Sequence, residues 1–69
     1  MKQTDRILRY MDDFGSISPV EALEQLSIMR LASRIHDLRQ RGIKINGRTE
    51  FTVNRYGERV HYTRYYRGD

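Results

Sequence analysis

Between Ser27 and Gly42 the chain reads S-I-M-R-L-A-S-R-I-H-D-L-R-Q-R-G. Ile28, Leu31, Ala32, Ile35 and Leu38 recur at helical spacing and predict a helix over 29–41 with one apolar stripe. The opposite side of that helix collects Arg30, Ser33, Arg34, Asp37, Gln40 and Arg41. These side chains offer hydrogen-bond chemistry. An arginine presents a rigid fork that fits the O6 and N7 acceptors of guanine or two phosphate oxygens. Serine supplies a short, versatile donor and acceptor, and Met29 an apolar contact for a thymine methyl. Arg30 and Arg34 lie one turn apart, a like-charge pair that costs about 0.2–0.5 kcal/mol until an anion relieves it. The plainer reading is a salt-bridged surface, because Asp37 is spaced to pair with both Arg34 and Arg41.

A second group lies near the C-terminal end. Arg48, Arg55, Tyr56, Arg59 and Arg64 are set among alternating aromatic and apolar residues. Arg55 and Tyr56 fall in N-R-Y-G, a turn signal, and would project from a hairpin tip toward a minor groove or a phosphate backbone. Strand arginines also keep a sheet edge soluble, which is the competing account of Arg48 and Arg64. Four of the five tyrosines fall in the last fourteen residues. Interleaved with arginine they can stack on unpaired bases, but hairpin tyrosines more commonly cover a small core. Thr4, Ser16, Ser18 and Asn54 read as caps and turns.

Enzyme chemistry finds no foothold. His36 and His61 are the only histidines and sit on different elements. Asp12–Asp13 and Glu21/Glu24 decorate helix surfaces with no pocket to shift their pKa values. Neither a phosphate-cradling glycine loop nor metal-ligand spacing is present, so no catalytic residue, metal or cofactor is expected.

A chain of 69 residues without cysteine is expected to make one domain, 1–69, with a small core and no disulfide staple. That composition and the lack of a membrane-length apolar run predict a soluble, cytoplasmic protein. The net charge of +4 is unevenly spread. Residues 1–28 carry three basic and five acidic side chains, and residues 29–69 carry ten and four. The second half is therefore the part that meets an anionic partner.

The elements that would position these groups follow in order. A first helix over 4–14, capped by Thr4 and ended by Gly15, has Ile7, Leu8, Met11 and Phe14 on its apolar edge. Ser16-Ile17 is a short extended piece with Ile17 plugging the core. Ser18-Pro19-Val20-Glu21 matches a capping box and opens a second helix over 19–26 that buries Ala22, Leu23 and Leu26. Ser27 and Ile28 connect it to the third helix, at a turn where glycine is the usual choice. After Gly42 the period changes to that of strands, with a wing over about 48–66. A four-residue turn at Asn54–Gly57 sets Phe51 opposite Val60 and Thr49 opposite Tyr62. It also puts Tyr66 inside and His61, Thr63 and Tyr65 outside. The expected core is Ile7, Leu8, Met11, Leu23, Leu26, Ile35, Leu38, Phe51 and Val60, and the tail 67–69 is expected to fray.

Three helices followed by a β-hairpin make an α+β winged helix-turn-helix. The sequence also resembles one family in its residues: Ile7-Leu8 with Gly15, S-I-S-P-V-E-A-L-E-Q-L from Ser16, I-M-R-L-A-S-R-I from Ile28, Leu38-Arg39, G-I-K-I from Gly42, and N-R-Y-G at Asn54–Gly57. That family comprises small winged helix-turn-helix domains of bacteriophages and prophages. The resemblance implies a phage-type DNA binder without supplying a target. The expected partner is double-stranded DNA, with helix 29–41 in the major groove through Met29, Arg30, Ser33, Arg34, Asp37 and Arg41. Arg48, Arg55, Tyr56 and Arg59 would meet backbone or minor groove from the wing. A phage transcriptional regulator is the main functional expectation. A phage inhibitor of a host protein, of anti-CRISPR type, and an excisionase-like architectural DNA binder are the alternatives, and homodimerisation stays open.

Overall fold

Ser18 fixes the centre of the molecule. Its hydroxyl accepts from the Glu21 N–H at 3.2 Å, and the Glu21 carboxylate accepts from the Ser18 N–H at 2.9 Å. With Pro19 in the first turn, this closed capping box starts a helix where the sequence predicts one. The computed structural model describes residues 1–68. It contains α1 (Gln3–Phe14), β1 (Ser16–Ile17), α2 (Pro19–Leu26), α3 (Leu31–Gln40), β2 (Ile45–Val53) and β3 (Arg59–Arg67). The strands form one antiparallel sheet in the order β1-β3-β2. This is the winged helix-turn-helix architecture, with a two-residue strand from the helical half completing the sheet.

The core lies where α1, α2 and α3 meet β1. Ile7, Met11, Ile17, Ala22, Ile28, Leu31, Ile35, Leu38 and Ile45 are buried. Leu8, Tyr10, Leu26, Ile43 and Tyr65 close over it. Three expected core residues lie elsewhere: Leu23 is 50% exposed, Phe51 56% and Val60 39%. The body is too small to cover the wing, which projects as the long axis of a 38 × 23 × 21 Å molecule. Phe14 is also exposed and stacks on Tyr10 with ring centroids 4.6 Å apart. Helix α1 begins at Gln3, with Lys2 rather than Thr4 at the cap position and no side chain capping it. Thr4 instead accepts a hydrogen bond from Arg41.

The helix-turn-helix turn is longer than the sequence suggests. Ser27 adopts the left-handed conformation (φ 58°, ψ 36°), and the N–H groups of Ser27 and Ile28 return to the Leu23 and Ala22 carbonyls. Ile28 is thereby pulled into the core, and Met29 and Arg30 are left in the turn. Helix α3 starts at Leu31 rather than at 29. A serine in this region is strained by its Cβ. Ser27→Gly is therefore expected to stabilise the fold by about 0.5–1 kcal/mol, after allowing for the extra freedom of glycine in the unfolded chain. Thermal denaturation monitored by circular dichroism checks this, and an unchanged or lower midpoint would refute it.

The hairpin register is one residue away from the expected one. Phe51 faces His61, Thr49 faces Thr63, and Val60 faces Thr52. The cause is Asn54, whose side-chain oxygen accepts from both the Tyr56 and Glu58 N–H groups at 3.0 Å. This Asx-type closure, with Gly57 at φ 79°, makes a five-residue loop in place of a four-residue turn. Because side chains alternate, a one-residue slip inverts β3 entirely. Tyr65 therefore packs on the core, while His61 and Thr63 share its face and Tyr66 lies on the other. The tail does not fray at Arg67 and Gly68. Arg67 pairs with Ile45, and Gly68 donates to the Lys44 carbonyl at 2.8 Å. Asp69 lies outside the described residues.

Candidate nucleic-acid interface

Helix α3 buries Leu31, Ile35 and Leu38, so its remaining positions define three sides. Ala32 and Arg39 flank the sheet. Arg39 donates through Nε and a terminal nitrogen to the Ile45 carbonyl, at 3.1 and 2.8 Å, and lies over the Tyr65 ring. It is a brace between helix and strand. On the other flank, Arg41 reaches the Thr4 hydroxyl at 3.3 Å and ties the end of α3 to α1. Arg34 lies beside the N-terminal turn of α1, and its Nε stands 3.3 Å from an Asp37 carboxylate oxygen. That atom is shielded from solvent and out of line for a hydrogen bond, so the contact is an ion pair only. Asp37 thus pairs with Arg34, and Arg41 turns elsewhere.

The side of α3 pointing away from the core carries Ser33, His36 and Gln40. His36 and Gln40 side-chain nitrogens approach to 3.3 Å. The outward face is consequently one of short polar groups, less cationic than a wheel starting at residue 29 suggests. Gln40 is on the polar side in the sequence as well, and His36 is the member that the wheel omits. The signal for it is the spacing itself, which sets it opposite Leu31, Ile35 and Leu38.

Met29 and Arg30 sit at the mouth of two concavities. Met29 is 85% exposed. On one side a cleft of about 490 Å³ separates Met29, Arg30 and Ser33 from His61 and Thr63 of β3. On the other, a cavity of about 330 Å³ runs from Arg30 to Gln3 and Arg34. Met29 and Arg30 line both, and Arg30 makes no ion pair or side-chain hydrogen bond among the described residues. His61 and Thr63 enter this cleft only because of the register set by Asn54, which is why the sequence reading placed them outside.

The wing carries cations that no carboxylate neutralises among the described residues. Arg59 lies 4.2 Å from the centroid of the Phe51 ring and Arg48 lies 5.1 Å from that of Tyr66. Stacking holds each guanidinium in place while leaving its hydrogen-bonding edge open. Arg55 and the 79%-exposed Tyr56 form the tip, with Arg55 unpaired among the described residues. Arg64 behaves differently. Its guanidinium donates to Glu50 at 2.9 Å, to Glu21 at 2.8 Å and to the Ser16 hydroxyl at 3.2 Å, and its side chain is only 19% exposed. It is a strut between the wing and α2, unavailable to a phosphate. Arg67 pairs with Asp12 at 3.1 Å, and Arg6 donates to the Leu26 and Met1 carbonyls.

The arrangement offers exposed, unneutralised arginines on both sides of a cleft beside a polar helix face. Among the described residues no helix is long and apolar enough to cross a membrane, and no group of acidic, histidine or cysteine side chains is placed to hold a metal ion. No curated protein and no solved structure matches the chain. A family of known type does match it, over residues 2–67, and its architecture supports a DNA-binding role. With three helices, the left-handed turn between α2 and α3 and the projecting hairpin all in place across that span, the chain belongs to the winged helix-turn-helix domain family.

Proposed function

We propose that the protein binds double-stranded DNA and reads sequence with α3, as a regulator of transcription encoded by a phage or prophage and acting in the bacterial cytoplasm. The phage assignment is supported by the resemblance of the sequence to small phage domains. The observation that carries the DNA reading is the cleft between α3 and β3. It has Arg30 and Ser33 on one wall, His61 and Thr63 on the other, and the stacked Arg59 on the same face of the wing. A helix in the major groove and a wing over the neighbouring minor groove would let a phosphate strand pass between them. Ser33, His36 and Gln40 then face base edges. Met29 and Arg30 reach the groove from the preceding turn, and Arg34, Asp37 and Arg41 form the flank toward the opposite strand. Arg48, Arg55, Tyr56 and Arg59 serve the backbone and minor groove. No catalytic step, metal or cofactor enters this reading.

The test is a salt titration on the upstream DNA of the protein's own gene and on a scrambled duplex. About five phosphate contacts give a log–log slope near −4 to −5. Arg30→Ala is expected to cost about 1–3 kcal/mol and to relax the preference between the duplexes. Arg55→Ala is expected to weaken both equally and to lower the slope by about one. Equal losses for both variants on both duplexes would end the claim that this surface reads bases, leaving an excisionase-like, shape-directed binder. Phe51, Val53 and Tyr56, all exposed on the wing, favour a protein target as the second reading. Absence of DNA binding at low salt would promote it.

A further inference from the structure

Strand β2 is nine residues long and is hydrogen-bonded on one side only, as the last strand in the order β1-β3-β2. Which of its backbone groups face outward can be deduced. The Lys44 carbonyl accepts from Gly68 at 2.8 Å, and the Asn54 N–H donates to the Glu58 carbonyl at 2.9 Å. Even-numbered positions therefore turn toward β3, and odd-numbered ones direct N–H and C=O to the open edge. The outward carbonyl of Ile45 is taken by Arg39. Gly47, Thr49, Phe51 and Val53 remain as an unpaired ladder.

We propose that this edge pairs with the same edge of a second copy of the chain, antiparallel and two-fold symmetric about Thr49. In that register Thr49 meets Thr49, Gly47 meets Phe51, and Arg48 stands directly across from Glu50 of the second copy. The charges select it. Moving the axis by one residue either way sets Arg48 against Arg48 or Glu50 against Glu50, and like charges directly opposed are destabilising. Among the described residues Arg48 makes no ion pair or side-chain hydrogen bond, and its guanidinium stacks on Tyr66. Glu50 uses one oxygen for Tyr62 and Arg64, and its second oxygen makes no hydrogen bond among the described residues. Gly47 is the position that accepts an aromatic neighbour. A Cβ there would sit 3.0 Å from the Thr63 methyl and 3.8 Å from the Tyr65 ring, so glycine lets those two side chains lie close over the strand, and Phe51, 56% exposed in the single chain, can pack beside them. Edge strands are ordinarily blunted by proline, by a bulge or by uncompensated charge. Here the one inhibitory charge has its complement two residues away. The two-fold consumes both open β2 edges, so pairing stops at a dimer. The wing tip and the outer face of α3 lie beyond the register and stay free.

The chain contains no cysteine, so single cysteines report the register directly. In Thr49→Cys the two thiols meet on the axis, where paired Cα atoms stand about 5.5 Å apart, within disulfide range. In Val53→Cys they are separated by the length of the paired segment. Under mild oxidation at high protein concentration, Thr49→Cys is expected to yield a disulfide-linked dimer and Val53→Cys to stay monomeric, both retaining the parent circular dichroism spectrum. Sedimentation of the unmodified protein is expected to show concentration-dependent dimerisation that Arg48→Glu abolishes. Equal cross-linking of the two cysteine variants, or none at Thr49→Cys, would overturn the proposal. So would association indifferent to Arg48→Glu. DNA titration of reduced Thr49→Cys beside the parent separates this result from the fate of the DNA reading, because Thr49 is not among the residues assigned to DNA.

Discussion

Leu38→Ala is expected to cost about 2–5 kcal/mol, enough to unfold much of a domain whose whole stability is of the order of 5 kcal/mol. Leu38 is completely buried in α3, and its carbonyl also accepts from the Arg41 and Ile43 N–H groups that turn the chain toward β2. Truncation leaves a cavity under the buried face of α3 that a core of nine buried residues cannot refill by relaxing. Leu23→Ala is the informative companion. Leu23 has the same spacing signature in α2 but is half exposed, and its loss is expected to cost under about 1 kcal/mol. Urea denaturation of both variants checks the pair, and comparable losses would mean that the buried face of the helix-turn-helix is misassigned.

The second large effect belongs to Arg64. Removing it leaves Glu50 and Glu21 facing each other across a partly dry joint with nothing between them. Arg64→Ala is expected to destabilise by about 1.5–3 kcal/mol, the range for hydrogen bonds to charged groups. It also frees the wing from α2. Affinity for DNA should then fall on every sequence, although Arg64 itself touches none. The joint has a pH signature. The Tyr62 hydroxyl, and after it the Arg64 guanidinium, hold the Glu50 carboxyl below its ordinary value of 4.5. A lowered folded-state pKa gives stability that is present above the unfolded value and is lost as pH falls through the folded one. The parent should therefore exceed Glu50→Gln in melting temperature above pH 4.5, and the two curves should converge as the pH drops below it. Parallel curves throughout the acid range would show that the Glu50 charge contributes nothing.

What a one-dimensional reading recovers, and what it misses, divides along physical lines. The helices were legible because their signals are local: 3.6-residue spacing, a serine and glutamate three apart, glycine at the end of α1. So were the fold class and Ile17 as a core plug. Three features were hidden, each by one side chain or one contact distant in sequence. The left-handed Ser27 shifts the start of α3 by two residues and so takes Met29 and Arg30 off the helix and into the turn. The two hydrogen bonds accepted by Asn54 lengthen the hairpin loop by one residue, and parity does the rest, exchanging Tyr65 with Tyr66 and bringing His61 and Thr63 into the cleft. Arg64 looked like one more cation on a strand because Glu21, its partner, stands 43 residues earlier. At the candidate site, the arginines of the turn and wing were visible by type. Whether each was free or already engaged was a matter of three-dimensional pairing.

The two residues of β1 tie the molecule to the order of its own synthesis. Ser16 and Ile17 pair with Tyr66 and Tyr65, so a strand made early waits for one made after every other element described here. The helices can emerge from the ribosome with their local signals intact, but the sheet against which Ile17 and Ile45 are buried cannot close until translation has passed Tyr66. A chain broken inside β3 therefore keeps its helix-turn-helix sequence and exposes the apolar side chains meant for the sheet. Such a product is a substrate for cellular quality control rather than a competitor for DNA. The last strand of the sheet thus decides whether the helical half can bury its apolar side chains.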